Sequence, residues 1–472
     1  MRKIMFTPVL VVAWLMGYAQ EINPPQKMGG REIILEKTEC ITDQERVQIK
    51  AMLKSNQERL IREGKLKPAE QLTTAAVQFD WPLKQMPAYN YNCYYGISNF
   101  VDHNVNYPGY VTDYNCGARS YDNAAGYNHQ GTDIFIWPFS WLMMQRKQVE
   151  IIAAAPGIII GKTDGNFDKS CQFNSNTWNA VYVQHADGSV AWYGHMKKGS
   201  LTTKNVGDAV VLNEKLGFVG SSGNSNGPHL HFEVYNANGY LIDPWKGPCG
   251  NVASSWWKKQ KPYYEPKLNT IFTQTKGNPF VPLCPGTETT YESNYFLRHD
   301  TVYLVSYFKD ERAGLVTKYK ITRADKTVAA QWTYTSPANY GLSYWYWYYV
   351  LPTNALLGTW KFQAIYQGDT LVRNFTVANS FAVNDAAAYA KNDNAFILSP
   401  NPAHNDLKIE LQTTGYPIYY KIYDISGRLS KEGLFNKNEK SISITELQKG
   451  IYCLKLSSAD GAILSMKKFM KL

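Results

Sequence analysis

Apolar and polar residues alternate with period two over much of this chain, and such runs bounded by turn residues predict strands. Val149 to Ala155 and Ile158 to Gly161 are short apolar strands split by Pro156-Gly157. Ala180 to His185 and Ser189 to His195 flank Ala186-Asp187-Gly188, and Asp-Gly between two alternating runs is a hairpin signal. Further turns stand at Gly207 and at Gly220 to Gly223. A strand entered through a Gly-Pro turn follows, Gly227-Pro228-His229-Leu230-His231-Phe232-Glu233-Val234. Thr301 to Phe308, Val316 to Arg323 and Gly358 to Gln367 read as strands of a sandwich. Leu407 to Leu411, Tyr419 to Ile425 and Gly450 to Leu456, with turns at Gly427 and Gly450, read as a last small module. The helical period is confined to one early segment. There Thr42-Asp43-Gln44-Glu45 forms a capping box with Ile41 before it, and the helix is expected to run to about Glu63 and stop at Gly64.

The expected fold is therefore mainly β. A short helical N-terminal region (20–78) precedes an antiparallel β-sheet domain with a cleft (79–262). An immunoglobulin-like β-sandwich (268–385) comes next, then a linker rich in Ala, Asn and Asp (386–395) and a small C-terminal β module (396–472). Lys258 to Pro266, basic and proline-containing, reads as a linker between the first two β domains.

Composition supports this reading. The 472 residues include 14% aromatics, 34 of them Tyr, which suit pleated surfaces. The formal net charge of +10 is spread over many segments, and the absence of a basic cluster argues against nucleic acid as a partner. Residues 1–19 read as a secretory signal peptide: Arg2 and Lys3, an apolar run from Ile4 to Met16, then Gly17-Tyr18-Ala19 for cleavage. That run is too short to span a membrane as a mature helix, so no transmembrane segment is expected after its removal. Of seven cysteines, none are in CxxC pairs, which argues against a structural zinc site. In an exported protein the first six allow three disulfides, with Cys93–Cys116 the expected local pair and Cys453 a buried strand residue. The aromatic run Tyr344 to Tyr349 offers either cross-strand packing or a glycan-binding face, and packing is the expectation.

The chemistry lies among the histidines. On an extended strand His229 and His231 point to one side while Leu230 and Phe232 point into the body. His129 and Asp133 are four residues apart with Gly131 between them, which keeps the segment uncrowded. His129, Asp133 and His231 make a nitrogen and oxygen donor set of three, which leaves a fourth tetrahedral position open, as in catalytic zinc sites. His195 and His229 then remain as a pair to move protons around a water. His185 reads as exposed in its hairpin turn, and His103, His299 and His404 have no partners in sequence. Asn226 or Ser225 could line the cleft, but the expectation for both is a solvated loop.

Several segments carry a family resemblance: His129-Gln130-Gly131-Thr132-Asp133, Ala154-Ala155-Pro156-Gly157, Tyr193-Gly194-His195-Met196, Gly207-Asp208-Ala209-Val210, Gly217 to Asn224, and Gly227 to Glu233. They resemble the lysostaphin-type zinc metallopeptidases, secreted endopeptidases that cut peptidoglycan peptides. The resemblance implies one Zn2+ held by His129, Asp133 and His231, with His195 and His229 as the catalytic pair. It implies peptide bonds of peptidoglycan cross-links or stem peptides as substrate. The segments Phe135 to Glu150 and Asn166 to Trp178 are longer than the minimal core of that family, and such loops could wall the groove. Ser399-Pro400-Asn401-Pro402, Tyr423 to Arg428 and Gly450-Ile451-Tyr452 are similar to the C-terminal sorting domain of type IX secretion. That implies the type IX machinery as a partner and a secreted or cell-surface location. Other readings stay open on sequence: a non-catalytic envelope- or glycan-binding adhesion protein, a hydrolase of another carbonyl bond, and a plain β adhesion domain at the C-terminus. Oligomeric state is not addressed by the sequence.

Overall fold

In the computed structural model the described residues are 25–33, 39–72, 76–87, 89, 91–172, 174–277, 284, 288, 290–379, 396–411, 418–424, 429–435, 441–458 and 463–472. The expected signal peptide, the 386–395 linker and the turn at Gly427 lie outside them.

The chain is mainly β, as the alternation predicts. It opens with strand β1 (Gln26–Glu32) and helix α1 (Asp43–Arg62). The helix begins where the sequence places it: Thr42 Oγ1 accepts from the Glu45 amide, and the Glu45 carboxylate accepts from the Thr42 amide. Next come β2 (Leu83–Gln85), β3 (Tyr95–Asn99), β4 (Thr132–Ile136), a short α2 (Ser140–Gln145) and β5 (Val149–Ile152). β6 (Gly157–Thr163), β7 (Ala180–Gln184) and β8 (Val190–Gly194) follow. β9 (Ala209–Val210), β10 (Lys215–Phe218), β11 (His229–Tyr235) and β12 (Leu241–Ile242) complete this part.

Eight of these strands form one antiparallel sheet in the order β3-β4-β11-β8-β7-β6-β9, with β12 on the end of β11. The Asp-Gly hairpin is the β7–β8 pair. β10, β5 and β2 make a smaller sheet against it. All seven residues of β11 are buried. Its even-numbered residues Leu230, Phe232 and Val234 enter a core with Ile134, Val183, Tyr193 and Trp257. The other face of the sheet takes α1, whose Leu53 and Leu60 pack on Ile160, Trp178, Tyr182 and Trp192.

The sandwich has a four-stranded sheet with β13 (Lys267–Gln274), β15 (Thr301–Glu311) and β18 (Tyr340–Val350). Its second sheet holds β14 (Tyr295–Leu297), β16 (Val316–Thr322), β17 (Val328–Thr335), β19 (Gly358–Tyr366) and β20 (Asp369–Ala378). The fourth strand of the first sheet is β1, paired antiparallel along β18. The N-terminal region thus contributes a strand as well as the expected helix. The Gly29-Gly30 pair hides it in the sequence, because β1 has little apolar pattern of its own. A Cβ on Gly30 would fall 2.3 Å from Trp345 Cε3, so the aromatic strand packs where a side chain would stand.

β18 also settles the aromatic run Tyr344 to Tyr349. Trp345 and Trp347 point into the sandwich core with Leu304, Tyr319 and Phe362. Tyr344 and Tyr346 turn the other way, against the core of the first β domain, which includes Phe139 and Tyr307. Packing on both faces is what the cross-strand reading expected. Lys258 to Pro266 is packed as well, with Tyr263 stacked on Phe100.

The C-terminal residues form a three-stranded sheet from Phe396–Ser399, Asp406–Leu411 and Ser441–Ser443. A four-stranded sheet from Leu429–Phe435, Ile418–Asp424, Gly450–Ser458 and Ile463–Lys471 packs with it. They close around their own core of Phe396, Leu407, Ile422, Leu454 and Phe469. Here Cys453 corrects an expectation: it is half-buried, because Leu454 and Leu456 take the inward side of the strand.

The disulfides also differ from expectation. Cys116 pairs with Cys249 and Cys171 with Cys284, while Cys93 is a free buried thiol. Cys93 lies beside β3 in the apolar core, where its thiol points to the Tyr95 carbonyl. Cys116 sits in a turn beneath the 247–250 loop. Proximity in sequence was the wrong guide, since both bridges join segments more than 100 residues apart.

Candidate metal centre

The sheet register brings the predicted residues together. His231 on β11 lies opposite Asp133 on β4 and opposite Gly194 on β8. His195 follows Gly194 in a left-handed backbone conformation (φ 58°) that turns its ring toward β11. His129 precedes β4, held by its amide on the Tyr121 carbonyl. His129, Asp133, His195, His229 and His231 are all buried, none more than 3% exposed.

Gly131 is needed here for close approach. A Cβ on it would fall 2.5 Å from His231 Cε1 and 3.0 Å from the Phe232 carbonyl oxygen. No side chain fits between the His129–Asp133 segment and the second histidine.

Each imidazole is oriented by a hydrogen bond from its outer nitrogen. His129 Nδ1 is 2.7 Å from the Phe100 carbonyl oxygen, so Nε2 is the inward atom. His195 Nδ1 is 2.6 Å from the Ser222 carbonyl, and His229 Nδ1 is 2.8 Å from that of Gly227. His231 is reversed: its Nε2 is 2.9 Å from Glu233 Oε2, which leaves Nδ1 inward. Acceptors of this kind fix the tautomer and raise the basicity of a ligating nitrogen. His195 Nε2 is buried without a hydrogen-bond partner.

The inward atoms of three side chains form a compact set. His129 Nε2 is 3.1 Å from Asp133 Oδ2, His231 Nδ1 is 2.9 Å from Asp133 Oδ1, and the two nitrogens are 3.4 Å apart. Metal–ligand bonds of ~2.0–2.1 Å in a tetrahedron place donors ~3.3–3.4 Å apart, so the set fits a zinc-sized ion. Asn99 Nδ2 donates to Asp133 Oδ2 at 3.0 Å and steadies the carboxylate.

The electrostatics favour a cation. Burial opposes ionisation of Asp133, yet His129, His231 and His229 around it hold the carboxyl well below the usual range. Burial opposes charging of His129 too, but Asp133 pushes it up to about 9. His195 goes the other way: burial, then the neighbouring His229, push it down, which leaves a neutral ring. A divalent cation can stand where the carboxylate otherwise gathers protons.

Two further groups were missed by sequence reasoning. Glu233, two residues beyond His231 on the same face of β11, is buried and joins His231 to Arg46 of α1 in an ion pair. The period-two pattern His229, His231, Glu233 was the signal. Cys40, just before α1, is only 4% exposed and lies inside the centre. Its donor atom is within 4.8 Å of those of His129, Asp133 and His231, and equally of those of His195 and His229. Burial, then Asp133, oppose ionisation of this thiol; His231, His129 and His195 outweigh them and hold it well below its usual range. Nothing in the sequence links Cys40 to residues 89 and more positions away.

Other expectations sort as follows. His185 is buried rather than exposed, because its Nδ1 meets the Pro156 carbonyl at 2.8 Å and Phe79 packs edge-on against its ring. His103 has a partner, Asp243, at 2.8 Å. Ser225 is buried near the centre, 3.4 Å from His229 Nδ1.

A buried His/Asp donor set where β11 pairs with β4 and β8 is of the kind a metallopeptidase domain uses. The comparisons give the particulars: residues 128–244 match Peptidase family M23, and residues 398–471 match the Secretion system C-terminal sorting domain. The chain therefore carries a lysostaphin-type M23 domain followed by a type IX sorting domain, which marks it as secreted or attached at the cell surface.

Over 66 residues the chain is 42% identical to the DD-carboxypeptidase/endopeptidase Mpg of Neisseria meningitidis serogroup B, covering 14% of each protein. It is 30% identical over 107 residues to an uncharacterized metalloprotease of Buchnera aphidicola subsp. Baizongia pistaciae, 23% of each. It is 32% identical over 81 residues to the peptidoglycan DD-endopeptidase ShyC of Vibrio cholerae, 17% of this chain and 18% of that protein. The chain thus spans less than a quarter of the length of these relatives. Among the described residues no helix is long and apolar enough to cross a membrane.

Proposed function

We propose that the chain is an exported zinc-dependent endopeptidase that hydrolyses peptide bonds in peptidoglycan. The observation that carries this reading is the convergence of Asp133 with four buried imidazoles whose outer nitrogens are already committed. The M23 match, one relative named as an endopeptidase and another named as a peptidoglycan endopeptidase support this substrate class.

In this reading His129 Nε2, one Asp133 carboxylate oxygen and His231 Nδ1 hold the ion. When bound, zinc polarises a carbonyl and brings the pKa of a water toward ~7. His195 and His229, with ring centroids 4.3 Å apart, face the remaining side of the centre. His195 is neutral with a free Nε2 lone pair, so it can take a proton from an attacking water. His229 Nε2 lies 3.7 Å from Asp133 Oδ1; with Nδ1–H given to the Gly227 carbonyl it presents a lone pair to the centre, and only after taking up a proton does it offer an N–H to charge on a carbonyl oxygen. One of the two then returns a proton to the leaving amine. Glu233 keeps the His231 Nε2 proton in place and so keeps Nδ1 available.

The test uses the full chain, and also Cys40→Ala so that the thiol in the centre does not mask the result. After dialysis against zinc, the reading expects one equivalent of zinc per chain and loss of that equivalent in His231→Ala. Incubation with purified peptidoglycan should yield new amines and carboxylates by mass spectrometry, should stop on chelation, and should resume with zinc. Zinc retention by His231→Ala equal to that of wild type would defeat the ligand assignment. New termini at ester or sugar-amide bonds would instead favour hydrolysis of another carbonyl bond.

A further inference from the structure

We infer that Cys40 is a fourth ligand of the metal centre, and that its sulfur holds the full chain latent by filling the position an attacking water needs. The inference rests on the metallopeptidase reading above and extends it to the N-terminal region.

The geometry places one atom in two clusters. Cys40 Sγ is the shared member of the set with His129, Asp133 and His231 and of the set with His195 and His229. A water that is to be activated by the ion and deprotonated by a histidine must lie between these same two sets. Sγ lies 3.9 Å from Asp133 Oδ1 and 3.4 Å from the hydroxyl of Tyr121, whose ring stacks on His129. The unpartnered Nε2 of His195 is an independent sign that this space is built for a ligand. A soft thiolate beside two imidazoles and a carboxylate is a complete tetrahedral donor set for zinc. In forming it the Cys40 thiol gives its proton to solvent and the Sγ–metal bond replaces a water; no oxidant or reductant is involved.

The segment carrying Cys40 is held on both sides. Before it, β1 is hydrogen-bonded along β18. At Cys40 itself, Asn224 Nδ2 donates to the Glu39 carbonyl at 2.6 Å, and Ile41 is 2% exposed among residues that include Trp178 and Ala180. After it, α1 is docked by the Arg46–Glu233 ion pair and by Asn56 and Gln57, which reach the Ile160 carbonyl at 2.9 Å and Gln184 Oε1 at 2.7 Å.

The full-length protein loaded with Co2+ in place of zinc tests this. Thiolate-to-cobalt charge-transfer absorption is expected in wild type and in Cys93→Ala, and its loss is expected in Cys40→Ala. In the zinc-loaded proteins, Cys40→Ala should release peptidoglycan fragments at least ~10-fold faster than wild type, since a ligand that occupies nine sites in ten leaves one competent. Cobalt bound by wild type without that absorption, absorption that survives in Cys40→Ala, or equal hydrolysis by the two proteins overturns the role of Cys40. If instead no metal binds, or His231→Ala binds it as wild type does, the metallopeptidase reading itself fails. Thermal unfolding of metal-free Cys40→Ala within a few degrees of metal-free wild type verifies that the variant folds.

Discussion

Replacing Arg46 by Met tests whether α1 is structurally part of the peptidase sheet. Arg46 is 5% exposed and Glu233 is 1% exposed, and the guanidinium pairs directly with that carboxylate. Breaking a buried pair by removing one partner costs ~3–5 kcal/mol, because the other charge is left without compensation. Two features place this site at the lower end. Glu233 keeps the His231 ring and the Tyr235 hydroxyl as donors. Arg46 Nε and Nη2 are themselves buried without partners, so their loss removes a cost. The expected loss is ~3 kcal/mol, or ~6–12 °C in Tm for a cooperative unit of 150–250 residues.

The assay is thermal and urea unfolding of Arg46→Met, Glu233→Gln and the double variant, all metal-free. Because the neutral pair no longer strands a charge, the double variant should be less damaged than the sum of the singles by ~1–3 kcal/mol. A cost below ~1 kcal/mol for Arg46→Met, or strict additivity in the double variant, would refute the claim that the pair is buried and coupled.

Three further outcomes follow from the same geometry. Gly131→Ala should cost ~1–3 kcal/mol in urea unfolding and weaken zinc retention ~10–100-fold, since the new methyl displaces the His231 ring; unchanged retention would refute the close approach. His195→Ala should keep one zinc per chain while hydrolysis in the Cys40→Ala background falls ~10²–10⁴-fold; loss of zinc would make it a ligand instead of a base. Glu288, whose carboxylate takes the Leu142 amide at 2.6 Å, is pushed up to about 8 by burial. Its folded value is raised above the ordinary 4.5, so the stability it gives is full below pH 4.5 and is lost as pH rises through about 8. Glu288→Gln should therefore match wild type near pH 4.5 and exceed it by roughly 3 kcal/mol at pH 7, at ~1.36 kcal/mol per unit. An advantage that does not change between those pH values would refute the burial.

What the sequence made legible was what local rules decide. The period of two aims His229 and His231 at one face of a strand, and the Thr42–Glu45 box starts α1, because both depend on residues a few positions apart. What it hid were matches between segments far apart. The Cys116–Cys249 and Cys171–Cys284 bridges close over long stretches of folded chain, so spacing carried no signal for them. β1 escaped notice because a strand that lies under Tyr346 and Trp345 needs glycines where the pattern would show apolar residues. His185 read as exposed because a hairpin turn usually is; the Pro156 carbonyl and Phe79 cover this one.

The same distinction explains why the five side chains singled out in the sequence stand together in the fold and Cys40 was not among them. The five lie on or beside neighbouring strands of one sheet, where register converts sequence pattern into position: His231 must face Asp133 once β11 and β4 pair. Cys40 belongs to no strand of that sheet. It reaches the centre only because its segment runs between two anchors, β1 on the sandwich and α1 on the sheet. The sandwich then has a role beyond spacing the sorting domain from the peptidase domain. By pairing β1 with β18 it fixes one end of the segment that places sulfur among the imidazoles, so weakening that pairing should loosen Cys40 without touching a single donor residue. Tyr346→Ala removes a ring that overlies Gly29, and in the cobalt-loaded chain it should reduce the thiolate absorption while metal content stays at one per chain. Full absorption in a variant whose β1 has demonstrably lost amide protection from hydrogen exchange would show that α1 alone positions the thiol.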